Sequence, residues 1–195
     1  MPITQKQHHD AALIQAYKQG DHKAIDALIL RHKDKIFTTI YVLVKDKYLA
    51  EDIFQEAMLK LLHTLKREQY NEQGKFLSWA IRIAHNLCMD HFRKNKRNIP
   101  VTFPDGKDIF NELRYTQETP ENRIENKQTC DSIRCMIESL PEEQRTVVAL
   151  RIYGELSFKQ IAALTNTSIN TALGRMRYAL INLRKKIEEQ NIMLR

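Results

Sequence analysis

The chain has 195 residues, of which 43% are hydrophobic, and its formal net charge is +7. No run of 18 apolar residues occurs, so the sequence predicts no membrane insertion. The N-terminal stretch lacks a secretion-signal pattern and the three cysteines form no CxxC pair, which favours a cytoplasmic protein with reduced thiols.

Apolar residues recur at helical spacing through most of residues 10 to 97, and strand-like alternation is scarce. The first helix is expected to turn Leu13, Ala16 and Tyr17 inward and to stop near Gly20. Asp21 can cap the second helix. The pattern therefore predicts an all-α fold.

The second predicted helix reaches residue 44 and breaks around 45–47, before a third that carries apolar residues from 53 to 65. The polar stretch KREQYNEQGK follows as a loop. The fourth helix begins near residue 76, places Trp79 on its apolar stripe and ends in the basic run RKNKR at 93–97. We expect Trp79 to pack in the core.

Residues 98–130 hold three of the five prolines and six acidic against four basic residues, which is typical of a linker. The sequence therefore predicts a helical domain at 1–97, a flexible linker at 98–130 and a second small helical domain at 131–195. In the second domain, Pro141 suits a first helical position and Gly154 is expected to end that helix.

The stretch ELSFKQIAALTNTSINTALGRMR at 155–177 predicts two short helices joined by a tight turn, a unit that usually reads DNA. Ser157 and Gln160 form a capping-box pattern, Asn166 stands where a left-handed residue is wanted, and Ser168 suits an N-cap. Ile161, Ala162 and Leu164 are the inward positions of the first of these helices. The second is expected to bury a stripe made of Ile169, Ala172, Met176, Ala179, Leu180 and Leu183.

The N-terminal residues of the second helix in such a unit approach base edges. Asn170 and Thr171 can donate and accept hydrogen bonds there, and Arg175 and Arg177 can pair with phosphate or with a guanine edge. The alternative is a helical hairpin whose basic residues only solvate a surface.

The sequence shows no nucleophile–base pair, no phosphate-cradling glycine loop and no metal-ligand spacing among its seven histidines. We therefore expect no enzyme activity, no catalytic residue, no metal and no cofactor.

Three stretches, in order, resemble the extracytoplasmic-function (ECF) group of the sigma-70 family: AEDIFQEAMLKLL, GKFLSWAIRIAHNLCMDHFRKNKR and SLPEEQRTVVALRIYGELSFKQIAALTNTSINTALGRMRYAL. The resemblance covers roughly residues 10 to 190. It implies a transcription initiation factor that binds core RNA polymerase, reads the −35 promoter element as a duplex and opens the −10 element. The implied partners are the β′ clamp coiled coil and β flap of core polymerase, promoter DNA and an anti-sigma protein.

The resemblance also implies residue roles. The first domain corresponds to region 2, with polymerase-binding positions at Asp52, Gln55, Glu56 and Lys60. Its −10 positions are Tyr70, Lys75, Arg82, Asn86, Arg93, Lys94 and Arg97. The second domain corresponds to region 4, with −35 positions at Ser168, Asn170, Thr171, Leu173, Gly174, Arg175 and Arg177.

The sequence departs from the family pattern in the DNA-reading unit. Asn166 replaces the usual glycine of the turn, and Ala172, Leu173 and Gly174 replace a common Val-Lys-Ser trio. Leu173 removes a charged contact, and Gly174 lowers helix propensity by up to about 1 kcal/mol relative to Ala. These departures put the recognised −35 sequence in question.

Two other functions fit the residues without the resemblance. A helix-turn-helix regulator with an unrelated sensing domain would bind a duplex operator without polymerase. An adaptor that mimics a sigma factor would sequester a partner and read no DNA.

Overall fold

The computed structural model describes residues 3–67, 70, 75–95 and 133–189. Every regular element in these ranges is a helix, which confirms the predicted all-α class. Two compact units are present: the first contains Met1–Phe103 and Tyr153–Glu155, and the second contains Pro104–Ile152 and Leu156–Arg195. The predicted linker at 98–130 lies outside the described residues. Within the described ranges, no helix is both long and apolar enough to cross a membrane.

The described helices of the first unit are α1 (Ile3–Lys18), α2 (His22–Val44), α3 (Lys47–Lys66) and α4 (Phe76–Asn95). The long α2 packs against each of the other three, and α3 also packs against α4. Leu28, Ile36 and Ile40 of α2 are almost completely buried. The apolar stripe of α2 therefore forms the centre of this core.

Local chemistry sets the helix ends in the first unit, as the sequence predicts. Gly20 has a φ of 99°, and the Asp21 carboxylate accepts a hydrogen bond from the Lys23 amide at 3.0 Å. Lys45 is left-handed with a φ of 57° and ends α2. Asp46 then caps α3 by accepting from the Leu49 amide at 3.0 Å. A residue with positive φ followed by an aspartate thus separates α1 from α2 and α2 from α3.

The inward face of α1 differs from the prediction. Leu13, Ala16 and Tyr17 are only partly buried, whereas Ile14 is 2% exposed. Asp10, one turn before Ile14, is also buried against α2. The ion pairs of Asp10 orient α1 so that residues 10 and 14 face α2, and hydrophobic spacing alone could not reveal that rotation.

The second unit contains a helical stretch at 133–138 (α5), followed by α6 (Glu142–Ile152), α7 (Phe158–Leu164) and α8 (Ile169–Glu189). Both α6 and α7 pack against α8. The core takes its largest buried side chains, Val147, Leu150, Leu156 and Ile161, from α6, α7 and the segment between them.

Two predicted helix limits in the second unit shift. The Pro141 carbonyl accepts from the Arg145 amide at 2.9 Å, so Pro141 occupies the N-cap and α6 begins one residue later. At the other end α6 stops at Ile152, and the left-handed residue is Glu155, with a φ of 55°, instead of Gly154.

Candidate nucleic-acid interface

The turn between α7 and α8 forms as the sequence predicts. Ser157 and Gln160 make a reciprocal capping box at the start of α7. Asn166 is left-handed with a φ of 52°, and the Thr167 amide donates to the Ala162 carbonyl at 2.9 Å. Ile161 and Ala162 are buried, while Leu164 is half-buried. This geometry fixes the direction in which α8 leaves the turn.

The first turn of α8 presents small polar groups to solvent. Ser168 caps the helix by accepting from the Thr171 amide at 3.0 Å, and the two hydroxyls lie 2.9 Å apart. Ser168, Asn170 and Thr171 are all exposed. Arg177, two turns further on, is exposed as well. The exposed predicted −35 side chains can therefore meet a partner without rearrangement of the second unit.

Arg175 takes a different position from the one predicted. Its side chain is only 22% exposed, and its guanidinium donates to the Glu143 carboxylate on α6 at 2.9 Å. Nearby, the Asn182 amide donates to Gln144 at 2.8 Å. Arg175 therefore joins α8 to α6, because it lies on the side of α8 that α6 covers. A DNA contact by Arg175 would require it to leave Glu143.

The buried stripe of α8 is narrower than predicted. Ala172 and Ala179 are buried, and Met176 and Leu183 are half-buried, but Ile169 and Leu180 are each 46% exposed. The prediction was wrong for Ile169 and Leu180 because α6 and α7 cover only the centre of the stripe. Leu173 is 44% exposed, so an apolar flank of α8 faces solvent.

Gly174 is half-buried, and a Cβ atom built on it would meet no atom within 4 Å. Packing within the described residues therefore does not require glycine at this position. The contacts within the second unit do not explain why residue 174 is a glycine.

In the first unit, α4 carries the other predicted DNA-facing residues. Arg82 and Asn86 are exposed one turn apart on the same face. Lys75, Arg93 and Lys94 are exposed too. Arg93 forms an ion pair with Asp90, which holds its side chain along the helix. Arg97 lies outside the described residues.

Tyr70 does not present a free stacking surface. It is 6% exposed, and its ring centroid lies 4.2 Å from that of Trp79 and 6.3 Å from that of Phe76. Phe76 is itself 2% exposed. Trp79, predicted to be in the core, is half-buried beside them. A base could stack on Tyr70 only after this aromatic cluster opens.

Two ionisable groups under the exposed face of α4 are buried. Burial lowers the pKa of His85, and a hydrogen bond with Asn86 opposes that change in part. Burial raises the pKa of the Cys88 thiol to about 12, so Cys88 is a protonated, unreactive core residue. Among the described residues, no cluster of three or more His, Cys, Asp or Glu side chains could hold a metal ion.

The face of α3 that carries Asp52, Gln55, Glu56 and Lys60 is exposed. Glu56 and Lys60 form an ion pair at 3.0 Å along the helix. Sequence reasoning missed two large apolar side chains on the same face, Tyr48 at 74% and Leu59 at 67% exposure. Helical spacing could have revealed them, because residues 48, 52, 55, 56 and 59 share one helical face. This mixture of acidic and apolar groups is suited to binding another protein.

Comparison with protein families identifies both units. The Sigma-70 region 2 family matches residues 28–98, and the Sigma-70, region 4 family matches residues 130–179. The two matches together cover more than half of the chain and include most of α2, all of α3 to α7 and the first half of α8.

Curated relatives are similar along most of the chain. The ECF RNA polymerase sigma factor SigW of Bacillus subtilis is 28% identical over 180 residues, which span 90% of this chain and 95% of the relative. The RNA polymerase sigma-H factor of Pseudomonas aeruginosa is 29% identical over 178 residues, spanning 89% and 90%. The ECF RNA polymerase sigma-E factor of Escherichia coli K12 is 28% identical over 174 residues, spanning 86% and 88%.

Solved structures share the fold at lower identity. The sigma factor RpoE in complex with the anti-sigma factor NepR from Bartonella quintana has a TM-score of 0.64 and 17% identity, covering 85% of this chain and 98% of that one. CnrH in complex with the cytosolic domain of CnrY has a TM-score of 0.55 and 17% identity, covering 94% and 97%. These likenesses show a common helical architecture.

Proposed function

Since the chain belongs to the extracytoplasmic-function group of the sigma-70 family, we propose that its two units divide promoter recognition between them. As a sigma factor it directs core RNA polymerase to initiate transcription at specific promoters. In our proposal the domain at 131–195 reads the −35 duplex through α8. The domain at 1–97 binds polymerase through α3 and opens the −10 element through α4, and the segment at 98–130 links the two.

The observation that carries this proposal is the charge of α8. The helix contains five basic residues, and its two acidic residues, Glu188 and Glu189, lie at its C-terminal end, far from the turn that precedes α8. Arg177, Arg184 and Lys185 are exposed. Because the surface follows a capped helix-turn-helix, it offers phosphate-binding charge beside polar groups that can reach base edges.

The −35 contacts follow from the exposures on α8. Asn170 and Thr171 carry donors and acceptors for base edges, and Arg177 pairs with phosphate or guanine. Ser168 keeps its capping role and touches DNA from the start of the helix. Arg175 acts mainly by holding α8 against α6 through Glu143.

The −10 contacts are assigned to the exposed face of α4. Arg82 supplies charge for the strand backbone, and Asn86 supplies a donor and an acceptor for an unpaired base. Lys75, Arg93, Lys94 and Arg97 extend the basic surface. Extruding a base costs a few kcal/mol, and contacts with the single strand can offset that cost. Tyr70 supports this face through Trp79 and Phe76 instead of stacking on the base.

Polymerase binding is assigned to the exposed face of α3. Asp52, Gln55 and Glu56 offer acceptors to the β′ clamp coiled coil, and Lys60 stays paired with Glu56. Leu59 adds an apolar contact at the centre of that face. The second unit meets the β flap. The factor supplies no covalent chemistry, because the polymerase performs the catalysis.

An anti-sigma protein is a further partner in this proposal, since the structures of RpoE and CnrH contain the partners NepR and CnrY. The chain would act in the cytoplasm, where polymerase and promoter DNA are available.

The proposal is tested by measuring the affinity of the purified full chain for core polymerase and for a duplex library, separately and together. We expect the chain to bind core polymerase, and promoter duplexes to be selected only by the combined complex. Tight operator binding by the chain alone, without affinity for core, would instead identify a regulator. Core binding without DNA selection would identify an adaptor.

A further inference from the structure

An apolar side chain lies in the part of α8 to which we assign the contact with DNA. Leu173 is 44% exposed, one helical turn after Ile169 and one turn before Arg177. Its alkyl group cannot form a hydrogen bond with a base edge or a phosphate. The described residues of the second unit leave almost half of its surface exposed, so neither internal packing nor polar DNA contacts fully account for Leu173.

The charge around Leu173 selects the class of partner. The five basic residues of α8 begin at Arg175, its two acidic residues lie only at its C-terminal end, and Arg177 is exposed on the turn that follows Leu173. This surface complements a polyanion. The apolar patch is therefore better matched to a nucleic acid that offers an apolar group than to an uncharged protein groove.

The major groove of DNA offers one such group. Each base pair presents donors and acceptors there, and only thymine adds a C5-methyl group. The N-terminal turns of a recognition helix are the part that approaches base edges. Leu173 is the fifth residue of α8, and Asn170, the second, is exposed one turn earlier.

We propose that Leu173 contacts the C5-methyl group of a thymine in the −35 duplex and makes thymine the preferred base at that position. Ile169, 46% exposed at the start of the same face, widens the apolar surface. This inference rests on the proposed role of α8 as the −35 reader, and it assigns to Leu173 a preference that a charged side chain would not have.

The test removes single thymine methyl groups from the DNA. The wild-type chain, assembled with core polymerase, first selects −35 duplexes from a randomised library. Each thymine of the selected element is then exchanged for deoxyuridine, which lacks only the C5-methyl group. We expect one thymine at which this exchange raises the Kd about fourfold, the effect of one buried methyl-sized group.

Variants of the chain show which side chain causes the rise in Kd on exchange for deoxyuridine. Leu173→Ala and Leu173→Gln should each remove the sensitivity to deoxyuridine at that position. Ile181→Ala is the matched control, because Ile181 is 48% exposed on the same helix but lies two turns further from its N-terminus. It should keep the fourfold sensitivity. Circular dichroism should show wild-type helix content in all three, since each change is at an exposed position.

Three results would overturn the inference while leaving the proposed function intact. The wild-type complex could select duplexes and tolerate deoxyuridine at every position. The Leu173 variants could retain the sensitivity. They could also lose affinity for core polymerase with unchanged base discrimination, which would make Leu173 a protein contact. Failure of the wild-type complex to select any duplex would overturn the proposed function itself.

Discussion

Asp10→Asn tests how α1 is attached to the rest of the first unit. The Asp10 carboxylate accepts from Arg31 Nη1 at 2.6 Å and lies 2.8 Å from His32 Nε2, and its side chain is 9% exposed. A hydrogen bond to a charged group contributes about 1.5–3 kcal/mol. Because Arg31 is 24% exposed and an asparagine can keep one bond, we expect the variant to lose about 2 kcal/mol of stability at pH 7.

The stabilising effect of the Asp10 carboxylate should depend on pH. Burial raises the pKa of Asp10, but hydrogen bonds and charge from His32 and Arg31 more than offset burial and hold the pKa below its ordinary value of 3.8. A lowered pKa in the folded state contributes stability that is complete above the unfolded value. That contribution is lost as the pH falls through the folded value. The stabilities of wild type and Asp10→Asn should therefore converge in acid.

Trp79 allows the first unit to be followed by itself. It is the single tryptophan of the chain, and it packs against Tyr70 with ring centroids 4.2 Å apart. Its fluorescence during urea unfolding reports the first unit and not the second. Asp34→Asn, at an exposed position of α2, is the matched control and should leave the midpoint unchanged. Equal midpoints for Asp10→Asn and wild type at pH 7, or a difference that grows in acid, would refute the reasoning.

Three further predictions concern the proposed surfaces. Glu56→Ala should weaken binding to core polymerase in a competition assay, and an unchanged affinity would make its face merely solvated. Asn86→Ala should reduce opening of the −10 element, followed by 2-aminopurine fluorescence, more than it reduces −35 duplex binding; equal opening by variant and wild type would contradict its role. Arg177→Ala should reduce the slope of log K against log salt by about 0.9, the value for one phosphate contact. Arg175→Ala should change that slope less, because Arg175 is paired with Glu143, and the reverse order would restore Arg175 as the DNA contact.

The sequence predicted features that depend on neighbouring residues. The helix ends at Gly20 and Asp21, the capping box at Ser157 and the left-handed Asn166 are confirmed, because each depends on backbone conformation and hydrogen bonds within a few residues. The all-α class follows from the same helical periodicity.

Features that depend on distant residues were missed or wrong. From the sequence alone Asp10 would be taken for an exposed acid, but in the fold it is buried against Arg31 and His32. Helical spacing places Arg175 on the exposed face of α8, but α6 brings Glu143 against it and leaves it only 22% exposed. Ile169 was expected in the core, yet the covered stripe of α8 is narrower than its apolar pattern. Tertiary packing decides each case, and periodicity carries no information about the width or chemistry of the neighbouring helix.

In the candidate site, too, the sequence predicted some features and could not supply others. Exposure of Asn170, Arg82 and Asn86 follows from helical spacing. Their assignment to −35 and −10 elements came from the family resemblance, since an exposed polar helix face has the same pattern whether it meets DNA, protein or water. Tyr48 and Leu59, by contrast, could have been found from spacing, because they share a face with Asp52.

Transcription from a promoter library tests whether the chain directs initiation at two-part promoters. The full chain is combined with core RNA polymerase and templates in which the −35 and −10 elements are randomised, and run-off transcripts are sequenced. We expect transcripts that depend on the chain and come from templates enriched in both elements at a fixed separation. Chain-independent transcripts, or enrichment of one duplex element without any transcript, would contradict that expectation.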